Sequence, residues 1–219
     1  MLEGVVKNFP EKEVLKQGVA CINHLMMTED MANMHHLRVL VNHGQWYEDI
    51  EPGEYIQLSV NGELMMSDTQ MERYTNQEFI RNAHGEVMIA GLGIGMILEN
   101  LLPLIEEGRV SRVVVYEKYQ DVIDLVAHRY TGRMPLEVRC KDILTYMPKK
   151  DERYDTMYFD IWPTISTDNL EQIKMLHYRW RSHKKDEHSW MDSWMSEFLR
   201  NRRRSKQAKA RHYGYGWER

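Results

Sequence analysis

The segment VMIAGLGIGM, residues 87–96, decides the fold of this chain. Its apolar first half predicts a buried strand, and Gly91, Gly93 and Gly95 follow at alternate positions before a helical pattern begins. Glycine allows tight turns and lets a ligand approach the backbone without a Cβ atom in the way. The N-terminus of the following helix offers free N–H groups and the positive end of the helix dipole. The segment therefore predicts a strand–loop–helix unit whose loop is either a tight turn or a ligand-binding site.

Strands and helices alternate along the chain after this point. The predicted strands cover residues 86–90, 112–117, 136–140 and 155–161, with helices over 93–106 and 119–129. Strands that alternate with helices form a parallel sheet with helices on both faces. We therefore predict an α/β fold with a truncated, Rossmann-like, doubly wound parallel sheet.

A smaller unit is predicted before this core. Residues 55–60 and 63–66 read as two strands, and Asn61-Gly62 between them supplies the positive φ angles of a type I′ hairpin turn. The spacing of apolar residues predicts that residues 1–30 are mainly helical and that residues 37–41 form a strand. The chain thus starts with a helix and a β-hairpin.

These patterns divide the chain into an N-terminal helix and β-hairpin unit (1–67), the core (68–163), C-terminal helices (164–200) and a basic tail (201–219). A helix is predicted over residues 67–84, ended by Gly85. No strand is predicted between residues 164 and 209, where one of the helices covers 186–204. The strand at 155–161 would then form an open edge. We expect the C-terminal helices, the N-terminal strands or a second subunit of a homo-oligomer to cover it.

Composition excludes several classes of protein. The sequence contains no run of about 18 apolar residues, which is the length needed to span a membrane. Its N-terminal residues do not resemble a secretory signal. The two cysteines, Cys21 and Cys140, exclude a disulfide framework, so we expect a cytoplasmic protein without membrane contact. Cys21 and the histidines that follow it match no standard zinc spacing, so no metal is expected.

The charge is distributed unevenly. The formal net charge is −4, but residues 200–219 carry eight basic residues and one acidic residue. Such a tail is either a solvated helix end or a contact surface for nucleic acid.

Acidic residues end the predicted strands after the glycine loop. Glu117 ends the second strand, Asp142-Ile143 follows the third, and Asp160 ends the fourth. The carboxyl ends of parallel strands share one edge of the sheet, where open α/β sheets bind ligands. An acid in the position of Glu117 can accept hydrogen bonds from both hydroxyls of a ribose. The dinucleotide pattern G-x-G-x-x-G would need glycine at position 96, which is Met96.

The loop resembles that of class I S-adenosylmethionine (SAM)-binding domains, and residues 55–163 resemble the spermidine synthase-like branch of the class I SAM-dependent methyltransferases. The resemblance implies that SAM is the cofactor, with Glu117 on its ribose, Asp142 on its adenine and the glycine loop on its amino-acid end. It places Asp160 at the reacting centre, where Asp160 would either orient the cofactor or accept a hydrogen bond from a substrate amine. The alternative is that Asp160 caps the loop or the following helix. The implied site consists of catalytic Asp160 and Tyr74 and cofactor-binding Gly91, Leu92, Gly93, Gly95, Glu117, Lys118, Asp142 and Ile143.

Departures from this family bear on the reaction. Met65 stands where the polyamine synthases carry Gln, and their Asp-Glu pair falls on Gln70-Met71. Loss of these groups removes charge complementarity to a cationic amine. SAM-dependent methyl transfer to a small-molecule or nucleic-acid acceptor is therefore favoured, with aminopropyl transfer as the alternative. A non-catalytic binding or assembly protein with the nucleotide fold is a third interpretation, because strands expected after Asp160 are missing.

Overall fold

A computed structural model of the protein describes residues 2–42 and 48–214, with side chains up to residue 208. Within these residues a four-stranded antiparallel sheet precedes a five-stranded parallel sheet. The strands of the first sheet are β1 (Leu15–Gln17), β2 (Ala20–Met27), β3 (Gly53–Val60) and β4 (Glu63–Ser67), with helix α1 (Glu29–Val41) between β2 and β3. The hairpin predicted around Asn61-Gly62 is confirmed, with φ angles of 53° and 81° at its two turn residues.

The N-terminal predictions outside this hairpin are wrong. Most of the segment 15–27 is extended rather than helical, because β2 pairs along its whole length with β3. Conversely, the residues predicted as a strand at 37–41 belong to α1. The side chain of Thr28 accepts a hydrogen bond from the Met31 N–H and caps this helix, and acids at its first two positions suit the helix dipole.

The second sheet forms the Rossmann-like α/β core. Its strands are β5 (Gly85–Ala90), β6 (Val110–Glu117), β7 (Leu136–Cys140), β8 (Thr156–Phe159) and β9 (Trp190–Ser193). They lie in the order β7-β6-β5-β8-β9, and every neighbouring pair is parallel. The helices are α2 (Gln70–Thr75), α3 (Gln77–Asn82), α4 (Met96–Glu106), α5 (Gln120–Val126), α6 (Asn169–Trp180) and α7 (Ser196–Gly214). The strand order reverses at β5, which is where sheets of this type open a ligand crevice.

Strand β9 corrects the prediction that no strand follows residue 164. Trp190 pairs with Thr156 and Ser193 pairs with Phe159, so β9 covers the edge of β8 that the sequence left open. The sheet therefore has five strands in the described part of the chain, and α7 begins ten residues after the start of the helix predicted at 186. The single helix predicted over 67–84 is two helices, α2 and α3, which meet at Asn76.

Strand β8 and the carboxyl-terminal halves of β5 and β6 are buried on both faces. Val87 and Ile89 share one apolar cluster with Ile22 and Ile56 of the first sheet, whereas Met88 packs in a second cluster that contains residues of α6. This alternation follows from the two-residue repeat of a strand. The first sheet is thereby held against the core on the side of the glycine loop. Within the described residues, no helix combines the length and the hydropathy needed to cross a bilayer.

Candidate functional site

A cavity of about 330 Å³ opens at the carboxyl edge of the parallel sheet. It is lined by the glycine loop, by the ends of β6, β7 and β8, and by the β3–β4 hairpin. Seven lining residues belong to the site predicted from sequence, namely Gly91, Leu92, Gly93, Glu117, Lys118, Asp142 and Ile143, and Asp160 lines the same cavity. The structure thus brings eight of the ten predicted residues together.

The loop glycines are required by close packing. Gly91 has a φ of +100°, and a Cβ atom there would lie 2.0 Å from the carbonyl oxygen of Asp160. Gly93 has a φ of +53°, and its Cβ would lie 2.1 Å from the sulfur of Met66 in β4. The same sulfur accepts a hydrogen bond from the Ile94 N–H. The hairpin therefore rests directly on the glycine loop and forms one wall of the cavity.

Gly95, the third loop glycine, does not line the cavity. It precedes α4 as its N-cap, and a Cβ atom there would lie 2.3 Å from the ring of Tyr130. The structure accounts for this glycine by the packing of the loop against Tyr130, behind the cavity.

Glu117 is held by the backbone of the loop itself. Its Oε2 accepts a hydrogen bond from the Leu92 N–H at 2.9 Å, and its Oε1 accepts one from the Tyr119 N–H at 2.8 Å. Burial raises the pKa of this carboxyl, while the backbone N–H bonds act in the opposite direction. A carboxylate has about four acceptor positions, so about two are left for hydroxyls in the cavity. These acceptor positions suit the hydroxyl groups of a ribose.

Asp142 is oriented in a similar way on the neighbouring strand end. Its Oδ1 accepts a hydrogen bond from the Leu144 N–H at 2.9 Å. Its Oδ2 lies 3.4 Å from the ammonium group of Lys118. The ion pair ties the ends of β6 and β7 together at the rim of the cavity.

Glu72 is a site residue that the sequence reasoning missed. It lies in α2, its side chain is buried, and it lines the cavity together with Asp160. Burial and the charge of Asp160 raise the pKa of Glu72 well above its ordinary value, and burial raises the pKa of Asp160 to about 7. An acid on a short helix carries no sequence signal that distinguishes it from a solvated one. Its position beside Gln70-Met71, where the family has an acidic pair, was the available hint.

Tyr74 is not brought to this cavity. It lines a second cavity of about 440 Å³ that also contains Phe79, Trp190 and Asp192. Residues two apart on a helix point about 200° apart, so α2 cannot direct both Glu72 and Tyr74 toward Asp160. Because Glu72 faces inward, the prediction of Tyr74 at the reacting centre lacks support from the geometry.

The raised pKa of Asp160 predicts an unusual pH dependence of stability. The folded protein keeps the proton on Asp160 up to about pH 7, whereas an unfolded aspartate loses it near pH 4. The folded state binds more protons in this interval, so its stability falls as pH rises through it. We expect Asp160→Asn, relative to wild type, to gain about 2 kcal/mol in unfolding free energy between pH 5 and pH 8.

Denaturant unfolding at the two pH values measures this gain. Asp151→Asn, at an exposed loop position, is the matched control and should show no such difference. An equal response of both variants would contradict the burial of an ionisable Asp160.

No family model matches the sequence, and none of the curated proteins matches it. The similar solved structures include methyltransferases. One is a SAM-dependent methyltransferase from Clostridium acetobutylicum, with 15% identity, 50% of this chain and 43% of that chain covered, and a TM-score of 0.36.

Two further structures show the same degree of similarity. The N-methyltransferase NodS from Bradyrhizobium japonicum has 16% identity and a TM-score of 0.39, with 52% of this chain and 62% of that chain covered. A DhpI–SAM–HEP complex has 20% identity and a TM-score of 0.39, with 52% of this chain and 49% of that chain covered. The matched part of this chain spans about half of the length of these proteins.

In the described part of the chain, no three His, Cys, Asp or Glu side chains are grouped as a metal ion would require. His43, one of the histidines that follow Cys21 in the sequence, lies outside the described residues.

Proposed function

We propose that this protein is a SAM-dependent methyltransferase of the class I type. The observation that carries the proposal is the convergence of the glycine loop, Glu117, Asp142 and Asp160 on one cavity. Its volume of about 330 Å³ lies at the lower end of the range for small-molecule and cofactor sites, ~300–1,000 Å³. The residues present fit the cofactor, because Glu117 and Asp142 offer carboxylate acceptors in the cavity for its ribose and adenine.

Each residue of the cavity has a defined part in this proposal. Glu117 accepts the ribose hydroxyls, Asp142 and the backbone of Ile143 take the adenine, and the loop backbone takes the amino-acid end. When bound, SAM supplies an electrophilic methyl group. The protein positions the acceptor against this methyl group, and Glu72 and Asp160 orient the acceptor in a partly apolar cavity. Asp160, with its pKa near 7, is suited to take a proton from the acceptor nucleophile at neutral pH.

Aminopropyl transfer is the second candidate, and Glu72 is the observation that favours it. Gln70-Met71 stands where the polyamine synthases have an acidic pair, so these two positions offer no charge to an amine. A cationic amine bound beside the buried carboxyls of Glu72 and Asp160 would favour their ionised forms and pair with them. The hairpin resting on the glycine loop also agrees with the proposed spermidine synthase-like branch.

The proposal extends to the kind of acceptor and to the cellular location of the protein. The cavity supports a small-molecule acceptor, whereas the basic residues on α7, exposed at 201–208, support a nucleic-acid acceptor whose phosphates they would contact. The free thiols of Cys21 and Cys140 agree with a reducing, cytoplasmic environment.

Titration calorimetry of the full chain with SAM, decarboxylated SAM and NAD tests the proposal. Methyl transfer predicts that SAM binds most tightly, because the loop backbone receives its carboxylate. Aminopropyl transfer predicts that decarboxylated SAM binds most tightly. Absence of binding by both SAM compounds would contradict both enzyme assignments and leave the non-catalytic interpretation. Tighter binding of NAD would contradict the reading of the glycine spacing.

A further inference from the structure

Most backbone donors of the glycine loop are already occupied within the chain. Three N–H groups of the segment 91–95 donate to oxygen acceptors, namely those of Gly91, Leu92 and Gly95. Their acceptors are the carbonyl oxygens of Tyr116 and Leu92 and the carboxylate of Glu117. Two neighbouring donors remain for a ligand. The Gly93 N–H has no acceptor among the described residues, and the Ile94 N–H has only a sulfur atom.

The side chain of Met66 covers the second of these donors. The Ile94 N–H donates to the Met66 sulfur at 3.4 Å, and a thioether is a weak acceptor. Met66 lines the cavity, whereas Ile94 is fully buried and is not part of the lining. The same sulfur would lie 2.1 Å from a Cβ atom on Gly93, so it rests against the loop backbone. Met66 therefore lies on the cavity side of the Ile94 N–H.

This cover bears on the choice between two cofactors that differ in one group. SAM carries a carboxylate beside its amino group, and decarboxylated SAM has a hydrogen atom in its place. A carboxylate forms strong, charge-assisted hydrogen bonds with N–H groups. To reach the Ile94 N–H it must first displace the Met66 side chain, which can move because methionine has three rotatable bonds. Decarboxylated SAM has no group that requires this displacement.

We propose that Met66 is a specificity-determining residue, which lowers the preference of the cavity for SAM over decarboxylated SAM. The proposal rests on the function proposed above, and it applies to methyl transfer and to aminopropyl transfer alike. Met66 supplies no group to the reaction itself. Its effect is the free energy needed to uncover one backbone donor, the Ile94 N–H, at the amino-acid end of the cofactor.

Hydrogen exchange of the Ile94 amide in the full chain tests the cover without any cofactor. Met66→Ala should raise the exchange rate about tenfold, because it removes both the acceptor and the apolar cover. Met65→Ala is the matched control, since Met65 also lines the cavity but forms no hydrogen bond with the loop among the described residues. It should leave the rate unchanged. A wild-type rate in Met66→Ala would overturn the proposal.

Titration calorimetry with SAM and decarboxylated SAM tests the specificity, because the ratio of the two dissociation constants isolates the carboxylate. Met66→Ala and Met66→Val have side chains that end before the position of the sulfur. Both should shift the ratio about tenfold in favour of SAM. Met66→Leu keeps a side chain that reaches this position, so its ratio should stay within about threefold of wild type. The ratio in Met65→Ala should equal that of wild type.

The outcomes separate this proposal from the function on which it rests. Circular dichroism verifies the fold of each variant, and Met66→Val decides the result if Met66→Ala does not fold. A wild-type ratio in the shortened variants would overturn the specificity role even if both cofactors bind. A shift in Met66→Leu as large as that in Met66→Val would also overturn it, because cover would then not be the cause. Absence of binding of both compounds to wild type would contradict the proposed function, and this proposal with it.

Discussion

Gly91→Ala is expected to abolish SAM binding and to lower the unfolding free energy by about 3 kcal/mol or more. The φ of +100° at Gly91 is unfavourable for any side chain, and the added Cβ would lie 2.0 Å from the carbonyl oxygen of Asp160. That oxygen belongs to the backbone at the end of β8, so it cannot move without displacing the strand end. The loop must shift instead, and it then loses its alignment with Glu117, whose carboxylate is bonded to the Leu92 N–H. Thermal or denaturant unfolding and calorimetry with SAM measure the two effects.

Gly108→Ala separates the close contact from the cost of the backbone conformation. Gly108 also has a positive φ, +72°, but no heavy atom lies within 4 Å of the Cβ that alanine would add. Gly108→Ala should lower the unfolding free energy by about 1 kcal/mol and leave SAM binding unchanged. Equal losses for both variants would show that the contact with Asp160 contributes nothing and that the loop tolerates a side chain.

Glu117→Gln is expected to weaken SAM binding about 100-fold, because two charge-assisted hydrogen bonds to the ribose become neutral. The amide also matches its surroundings poorly. Both carboxylate oxygens now accept from backbone N–H groups, those of Leu92 and Tyr119. A glutamine offers one oxygen and one NH₂ group, so one of these N–H groups loses its acceptor and faces another donor. The loop should therefore be less well ordered even without ligand.

Titration calorimetry again provides the measurement, and Glu106→Gln provides the control. Glu106 is an exposed acid at the end of α4, so its variant changes the net charge equally but leaves the cavity intact. SAM affinity should be unchanged in this control. If Glu117→Gln binds SAM as tightly as wild type, the cofactor does not occupy the position assigned to its ribose.

Much of the site could be predicted from sequence because its determinants are local. A glycine loop after an apolar strand, and acids immediately after the next strands, depend on neighbouring residues and on the shared direction of parallel strands. Glu117, Asp142 and Asp160 line one cavity for this reason. The Asn61-Gly62 hairpin is equally local, since its turn geometry needs the two residues themselves.

Other features depend on contacts between distant parts of the chain. β9 has four residues, too few for a periodic pattern, and it is a strand because β8 offers an unpaired edge. β2 carries spacing that also suits a helix, and pairing with β3 decides its conformation. The direction in which α2 faces is decided in the same way, because packing turns Glu72 rather than Tyr74 toward Asp160.

The sequence by itself determined the glycine loop, the alternation of strands and helices, and the edge at which the acids meet. These follow from backbone preferences of glycine and from side-chain periodicity, which act within a few residues. Only the tertiary structure decided the fifth strand and the buried position of Glu72 beside Asp160. Burial, coupled ionisation and exposure are properties of surfaces brought together by folding, and no short stretch of sequence contains them.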